Sequence, residues 1–133
     1  MPRFRTRPLL TGNRIVWASQ NNILFIATRG PVVSAVEYRV SFDEPIATDM
    51  ATDGNHMIYV PMSDGVIHAI NDRMGKLIWK QSLGDAIRRP PVCVDGDLFA
   101  VTLTGRLHSL DPLTGVTRWQ ATGVERFVSA SET

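Results

Sequence analysis

The sequence holds a single cysteine, Cys93, in 133 residues. An intrachain disulfide is therefore excluded, which fits a reducing compartment without requiring one. No apolar run approaches the roughly 18 residues of a membrane-spanning helix. The opening MPRFRTRPLL is basic, but the apolar stretch of about 7–15 residues that a secretory leader needs does not follow. No signal peptide is expected. Helical periodicity is also missing: no segment sustains it over ten residues. Gly-x-Ser-x-Gly, His-Glu-x-x-His, phosphate-loop and dinucleotide-binding patterns are all absent, which removes several common enzyme classes.

Charge is sparse and uneven. Only 20% of residues are charged and 44% are hydrophobic, the balance of one ordinary globular domain rather than a disordered tail. Residues 1–42 carry six arginines (Arg3, Arg5, Arg7, Arg14, Arg29 and Arg39) against Glu37, a net of +5. The remainder, with eight basic and twelve acidic residues, nets −4. The arginines are spread over strand-like segments with no lysine and little aromatic interleaving. That pattern reads as a solvated surface, not a nucleic-acid site.

What is present is repetition. GVIHAINDRMGKLIW (65–79) returns as GRLHSLDPLTGVTRW (105–119), matching at Gly65/Gly105, His68/His108, Gly75/Gly115 and Trp79/Trp119. A fixed offset of 40 residues is the mark of a repeat architecture. Upstream, MATDGNHMIYVPMSDG (50–65) and VCVDGDLFAVTLTG (92–105) both run apolar, Asp-Gly, apolar, turn-Gly, with two extra residues expected at Asn55-His56. Asp-Gly between apolar runs is a strong hairpin signal. LLTGNRIVWASQNNILFIATRG (9–30) follows the same plan, with turns expected at Thr11-Gly12-Asn13 and Gln20-Asn21-Asn22. VEYRVSF (36–42) then alternates strictly, a half-buried strand. Tyr38, Trp79 and Trp119 fall 41 and 40 residues apart, each in the last strand of its copy.

Three copies follow, about residues 8–43, 46–84 and 89–123, each with four short strands. Residues 124–131 read as the first strand of a further copy. Four antiparallel strands per roughly 40 residues is the blade of a β-propeller. The expected fold is all-β: one partial propeller of about three four-stranded antiparallel blades with a partial fourth.

The repeated motif is turn chemistry. The Asp111 carboxylate can accept backbone amides about two residues on, Pro112 presets φ, and Gly115 supplies a conformation that a Cβ opposes. Asn71 and Gly75 can do the same one copy earlier. Four residues past each glycine, period two fixes the face on which the tryptophan stands.

On these residues the chain resembles the tryptophan-docking repeat of PQQ-type (quinoprotein-like) β-propellers. The match is best at Ser109, Asp111, Thr114, Gly115 and Trp119. It is weaker at Ala69, Asn71, Gly75 and Trp79, with Met74 in place of the usual Thr. In the first copy only Tyr38 stands at the tryptophan position. The resemblance implies blade docking through Tyr38, Trp79, Trp119, Gly75, Gly115, Asn71, Asp111 and Thr114. It includes two branches. Quinoprotein dehydrogenases bind pyrroloquinoline quinone and Ca²⁺ and use a vicinal cysteine pair, which a lone Cys93 cannot form. Non-enzymatic propellers, similar to the lipoprotein of the outer-membrane β-barrel assembly machinery, present loops and rims to protein partners. The second branch is the closer in character, and it implies a non-catalytic scaffold with no cofactor, no metal and no catalytic residue. Alternatives are a fragment of a PQQ-dependent dehydrogenase or a ligand-sensing module of a larger protein. The compartment stays open; it would be periplasmic for a fragment of an exported propeller.

Other residues tempt a chemical reading and have a plainer one. His68 and His108 occupy equivalent positions in successive copies, so packing explains them better than a zinc site with His56 as third ligand. Asp53, Asp64, Asp95 and Asp97 sit at turns, where Asp-Gly needs no metal. Cys93 alternates with Val92 and Val94 as a small core residue without an activating base. Pro90-Pro91 begins a strand, where missing amides are tolerated. Three blades cannot close a ring that usually takes 4–8. Further blades, from a longer parent chain or from self-association, or a protein partner, are therefore expected to cover the end sheets.

Overall fold

The computed structural model describes residues 7–12, 14–28 and 36–122. All regular structure among them is strand. β1 (Leu9–Thr11), β2 (Arg14–Ala18), β3 (Ile23–Thr28) and β4 (Val36–Ser41) form the first sheet. β5 (Ala51–Thr52), β6 (Met57–Pro61), β7 (Val66–Asn71) and β8 (Lys76–Ser82) form the second. β9 (Val92–Val94), β10 (Asp97–Val101), β11 (Leu107–Leu110) and β12 (Thr117–Ala121) form the third. Each sheet is an antiparallel meander in chain order. The fold is all-β.

Turn residues dictate this order. Asp95 and Gly96 both take positive φ, 50° and 79°, the requirement of a two-residue type I′ hairpin, and they join β9 to β10. The corresponding loop of the second sheet is longer by one residue, not two: Ala51 faces Tyr59, whereas Val92 faces Phe99. String alignment overcounts here because it cannot see where pairing begins.

The cross-strand registers are equivalent in all three sheets. Leu9–Val16–Ile26–Tyr38, Ala51–Tyr59–Ala69–Trp79 and Val92–Phe99–Ser109–Trp119 each form one row. A register shift follows Ile26, Ala69 and Ser109 alike, beside the row's aromatic end. A bulge re-aims side chains and is a designed feature when it recurs.

Stacking of the sheets makes the core. β6 is buried at all five positions, because its two faces serve two interfaces. Ile58 and Val60 turn to the first sheet, joining Val16, Leu24, Ile26 and Met50. Met57 and Tyr59 turn to the third, joining Leu98, Ala100 and Leu110. The connecting segments contribute plugs: Ile46 bridges to Met62 and Ile87 to Thr102, and both isoleucines are buried. Each fully buried Ile or Leu stabilises by roughly 1.5–3 kcal/mol. Residues 124–131, expected to begin another blade, lie outside the described residues.

Candidate functional site

The turn between β7 and β8 and the turn between β11 and β12 are built alike. Asn71 Oδ1 accepts the Arg73 amide at 2.9 Å, and Asp111 Oδ1 accepts the Leu113 amide at 2.9 Å. The Gly75 amide closes onto the Asn71 carbonyl, and that of Gly115 onto the Asp111 carbonyl, both at 2.8 Å. Thr114 Oγ1 accepts from the Val116 amide at 3.3 Å. Amide donation from Leu113, helped by the Arg118 guanidinium, holds the Asp111 carboxyl below the ordinary range.

Both glycines lie against an aromatic ring of the preceding sheet. A Cβ on Gly75 would sit 2.4 Å from Tyr38 Cγ, and one on Gly115 would sit 2.4 Å from Trp79 Cε3. Tyr38 donates its hydroxyl to the Arg73 carbonyl at 2.7 Å. Trp79 donates Nε1 to the Pro112 carbonyl at 2.9 Å, and the Tyr59 hydroxyl reaches the same oxygen at 3.2 Å. Each aromatic therefore joins two sheets through a ring face and a polar tip at once.

Trp119 ends the series. It is 47% exposed and keeps Phe99 beside it, ring centroids 6.1 Å apart. Leu103, Leu113 and Val116 of the same repeat are exposed as well. The first sheet presents its own aromatic pair, Trp17 stacked on Phe25 at 5.4 Å with Arg39 over the Phe25 ring.

A polar junction between the first two sheets was not foreseen. Asp72, fully buried, accepts Thr11 Oγ1 at 2.6 Å, and its other oxygen lies 3.1 Å from His56 Nδ1. His56, in the β5–β6 loop, is thus a partner of Asp72 in the β7–β8 turn rather than a companion of His68 and His108. Nothing in the sequence around Asp72 announces this, since its counterpart forty residues on is Pro112. Also unforeseen is Asp85, which accepts the Ala86 amide at 2.8 Å and the Thr104 amide at 2.9 Å. Hydrogen bonds from Thr104 hold its carboxyl low.

His68 and His108 occupy equivalent register positions, paired with Val60 and Lys80 and with Ala100 and Gln120. Burial pulls both imidazoles below their ordinary range, so each is neutral near pH 7. His68 meets Phe42 edge-on at 5.4 Å; neither ring nitrogen of His108 has a partner among the described residues. Asp53 and Asp64 accept amides within their own turns, and Asp97 pairs with Arg118. Cys93 is half-buried against the core between the second and third sheets, and burial pushes its thiol up, away from the reactive thiolate. No group of three or more metal-ligating side chains occurs among the described residues. No helix there is long and apolar enough to cross a membrane.

Known proteins share this geometry. The family model described as outer membrane protein assembly factor BamB matches residues 4–125. Among solved structures, BamB from Moraxella catarrhalis superposes with a TM-score of 0.77 at 17% identity, over 92% of this chain and 36% of that one. A europium-containing methanol dehydrogenase gives 0.73 at 20%, over 86% and 24%. Among curated proteins, a quinohemoprotein alcohol dehydrogenase of Pseudomonas putida is 29% identical over 68% of this chain. A 1-butanol dehydrogenase (cytochrome c) of Thauera butanivorans is 31% identical over 56%. This chain spans only 14% and 12% of those two relatives. With repeat plan, sheet topology and family model in agreement, the chain belongs to the PQQ-like β-propeller repeat family typified by outer membrane protein assembly factor BamB.

Proposed function

We propose that the chain supplies three blades, about residues 8–43, 46–84 and 89–123, to a non-catalytic propeller that acts as a protein-interaction scaffold. One observation carries this reading. The residues that recur at equivalent places in the copies are spent on building and joining sheets: Tyr38 lies on Gly75 and Trp79 on Gly115 across neighbouring sheets, while Asn71 and Asp111 close their own turns. Beyond them the third sheet ends in a half-exposed Trp119 with apolar neighbours. A face of that kind is covered by the next blade or by a protein partner. The role named in the family description, outer membrane protein assembly, suggests partners engaged in that process. The ring is completed by further blades, of the same polypeptide or of another copy.

A second reading, a fragment of a quinoprotein dehydrogenase, is favoured by the identity to the two alcohol-oxidising relatives. On that reading the vicinal cysteine pair and the rest of the active site belong to other blades, since this chain spans 14% and 12% of those relatives. Calorimetric titration of the full chain with pyrroloquinoline quinone and Ca²⁺ tests the scaffold reading. The scaffold reading expects no saturable heat; binding at micromolar concentration overturns it. Native mass spectrometry of the same sample reads whether copies associate.

A further inference from the structure

The two seams between sheets are equivalent in register but closed differently. Ile46 pairs with Met62 in the first seam as Ile87 pairs with Thr102 in the second. Counting outward from those pairs, Glu44 stands where Asp85 stands, and Asp64 where Thr104 stands. In the second seam the Asp85 carboxylate accepts the Thr104 amide at 2.9 Å and latches the connection to the turn. His108, at the register position of His68, is 3% exposed. In the first seam no hydrogen bond joins Glu44 to Asp64 among the described residues. The Asp64 carboxylate turns back to the Val66 amide at 3.2 Å. Glu44 and Asp64 line the same cleft, and like charges there offer each other no bond.

The first seam keeps the backbone bond from the Ser63 amide to the Pro45 carbonyl at 2.8 Å, as the second keeps that from Leu103 to Ala86, but it lacks the carboxylate bond and is open beside it. A cleft of about 560 Å³ lies there, with Phe42, Val66 and Leu77 among its apolar lining and half-exposed His68 in its wall. Asp43, Glu44 and Asp64 line it too, and none of the three has an ion pair among the described residues. Lys80 is the one lysine or arginine of the lining among the described residues. An anionic ligand would meet uncompensated carboxylates, and a purely apolar one would desolvate them without return. A cation held next to an apolar group satisfies both surfaces.

We propose that this cleft docks an extended segment of a partner protein in which an arginine or lysine adjoins an apolar side chain. The cation bridges Glu44 and Asp64, and the apolar group settles among Phe42, Val66 and Leu77. The inference deepens the scaffold reading and rests on it.

The test is an NMR titration of the full chain with acetyl-Leu-Arg-Leu-Arg-amide and with its twin carrying glutamine for arginine. The arginine peptide is expected to shift His68, Phe42 and Leu77 signals and to bind at least about tenfold more tightly than the twin. Glu44→Gln with Asp64→Asn should abolish that preference. Installing the second seam's pair, Glu44→Asp with Asp64→Thr, should close the cleft and remove binding, with an unchanged or raised melting temperature as proof of folding. Equal affinity for the two peptides overturns the proposal, as do shifts confined to the surroundings of Trp119. The peptide pair needs no variant, so the comparison decides even where a mutant misfolds. Quinone binding, measured separately, would strike the scaffold reading instead.

Discussion

The Trp79 indole covers Gly115 so closely that one added carbon would come within 2.4 Å of ring atom Cε3. Gly115 also holds φ at 77°, a conformation costing an L-residue about 1–2 kcal/mol. Crowding of a packed ring adds about 1–3 kcal/mol. Gly115→Ala is therefore expected to destabilise by about 2–5 kcal/mol in urea unfolding. Gly54→Ala, with φ at 78° and open space around it, should lose only about 1–2 kcal/mol. Equal losses would show that ring contact contributes nothing.

Trp79 and Trp119 share one register but not one environment. Trp79 is 8% exposed and hydrogen-bonded to Pro112. Trp79→Ala should cost about 3–5 kcal/mol, as for a buried tryptophan. Trp119→Ala should cost about 1 kcal/mol or less in the isolated chain, since little buried area is lost. Tryptophan fluorescence offers a second readout, with the red-shifted emission lost in the Trp119 variant.

Thr11 and Asp72 tie the first sheet to the second through a buried hydrogen bond. Thr11→Val keeps the shape and removes the donor, leaving a buried carboxylate oxygen short of a partner. The expected loss is about 1–3 kcal/mol. An unchanged unfolding midpoint would mean that solvent or relaxation replaces the bond.

Acid should weaken the fold through its histidines. Burial lowers the folded-state pKa of His68 and His108 below the ordinary 6.5. The unfolded chain then binds more protons as pH drops past 6.5, so stability is full above that value and lost below it, down through the folded value. Arg106 near His108 works in the same direction. His108→Leu removes one titrating group and two ring nitrogens that have no partner among the described residues. Its melting temperature should vary less between pH 7 and pH 5 than that of the parent chain. An identical slope would sink this assignment.

Much of the architecture could be read without coordinates because it is local. Asp95-Gly96 demands a tight hairpin whatever surrounds it, and the alternation at Val36–Phe42 demands a strand with one wet face. The spacing of Gly75 from Gly115 and of Trp79 from Trp119 declares the repeat. The loop at Asn55-His56 shows where such reading fails: its length depends on which residues pair, and pairing is a property of two strands. Thr11, Asp72 and His56 were invisible as a group because 61 residues separate the first two. The Asp85 latch was hidden for the same reason, in an unremarkable Gly-Asp-Ala linker.

Order along the chain, strand count and the identity of the turn residues came from short-range sterics and hydropathy, which act between near neighbours and so leave their imprint in the string. Which sheet face each ring covers, which carboxylate latches a seam and which seam stays open depended on distant segments meeting. Those outcomes turn on a few ångströms of separation between groups that the linear order never places side by side.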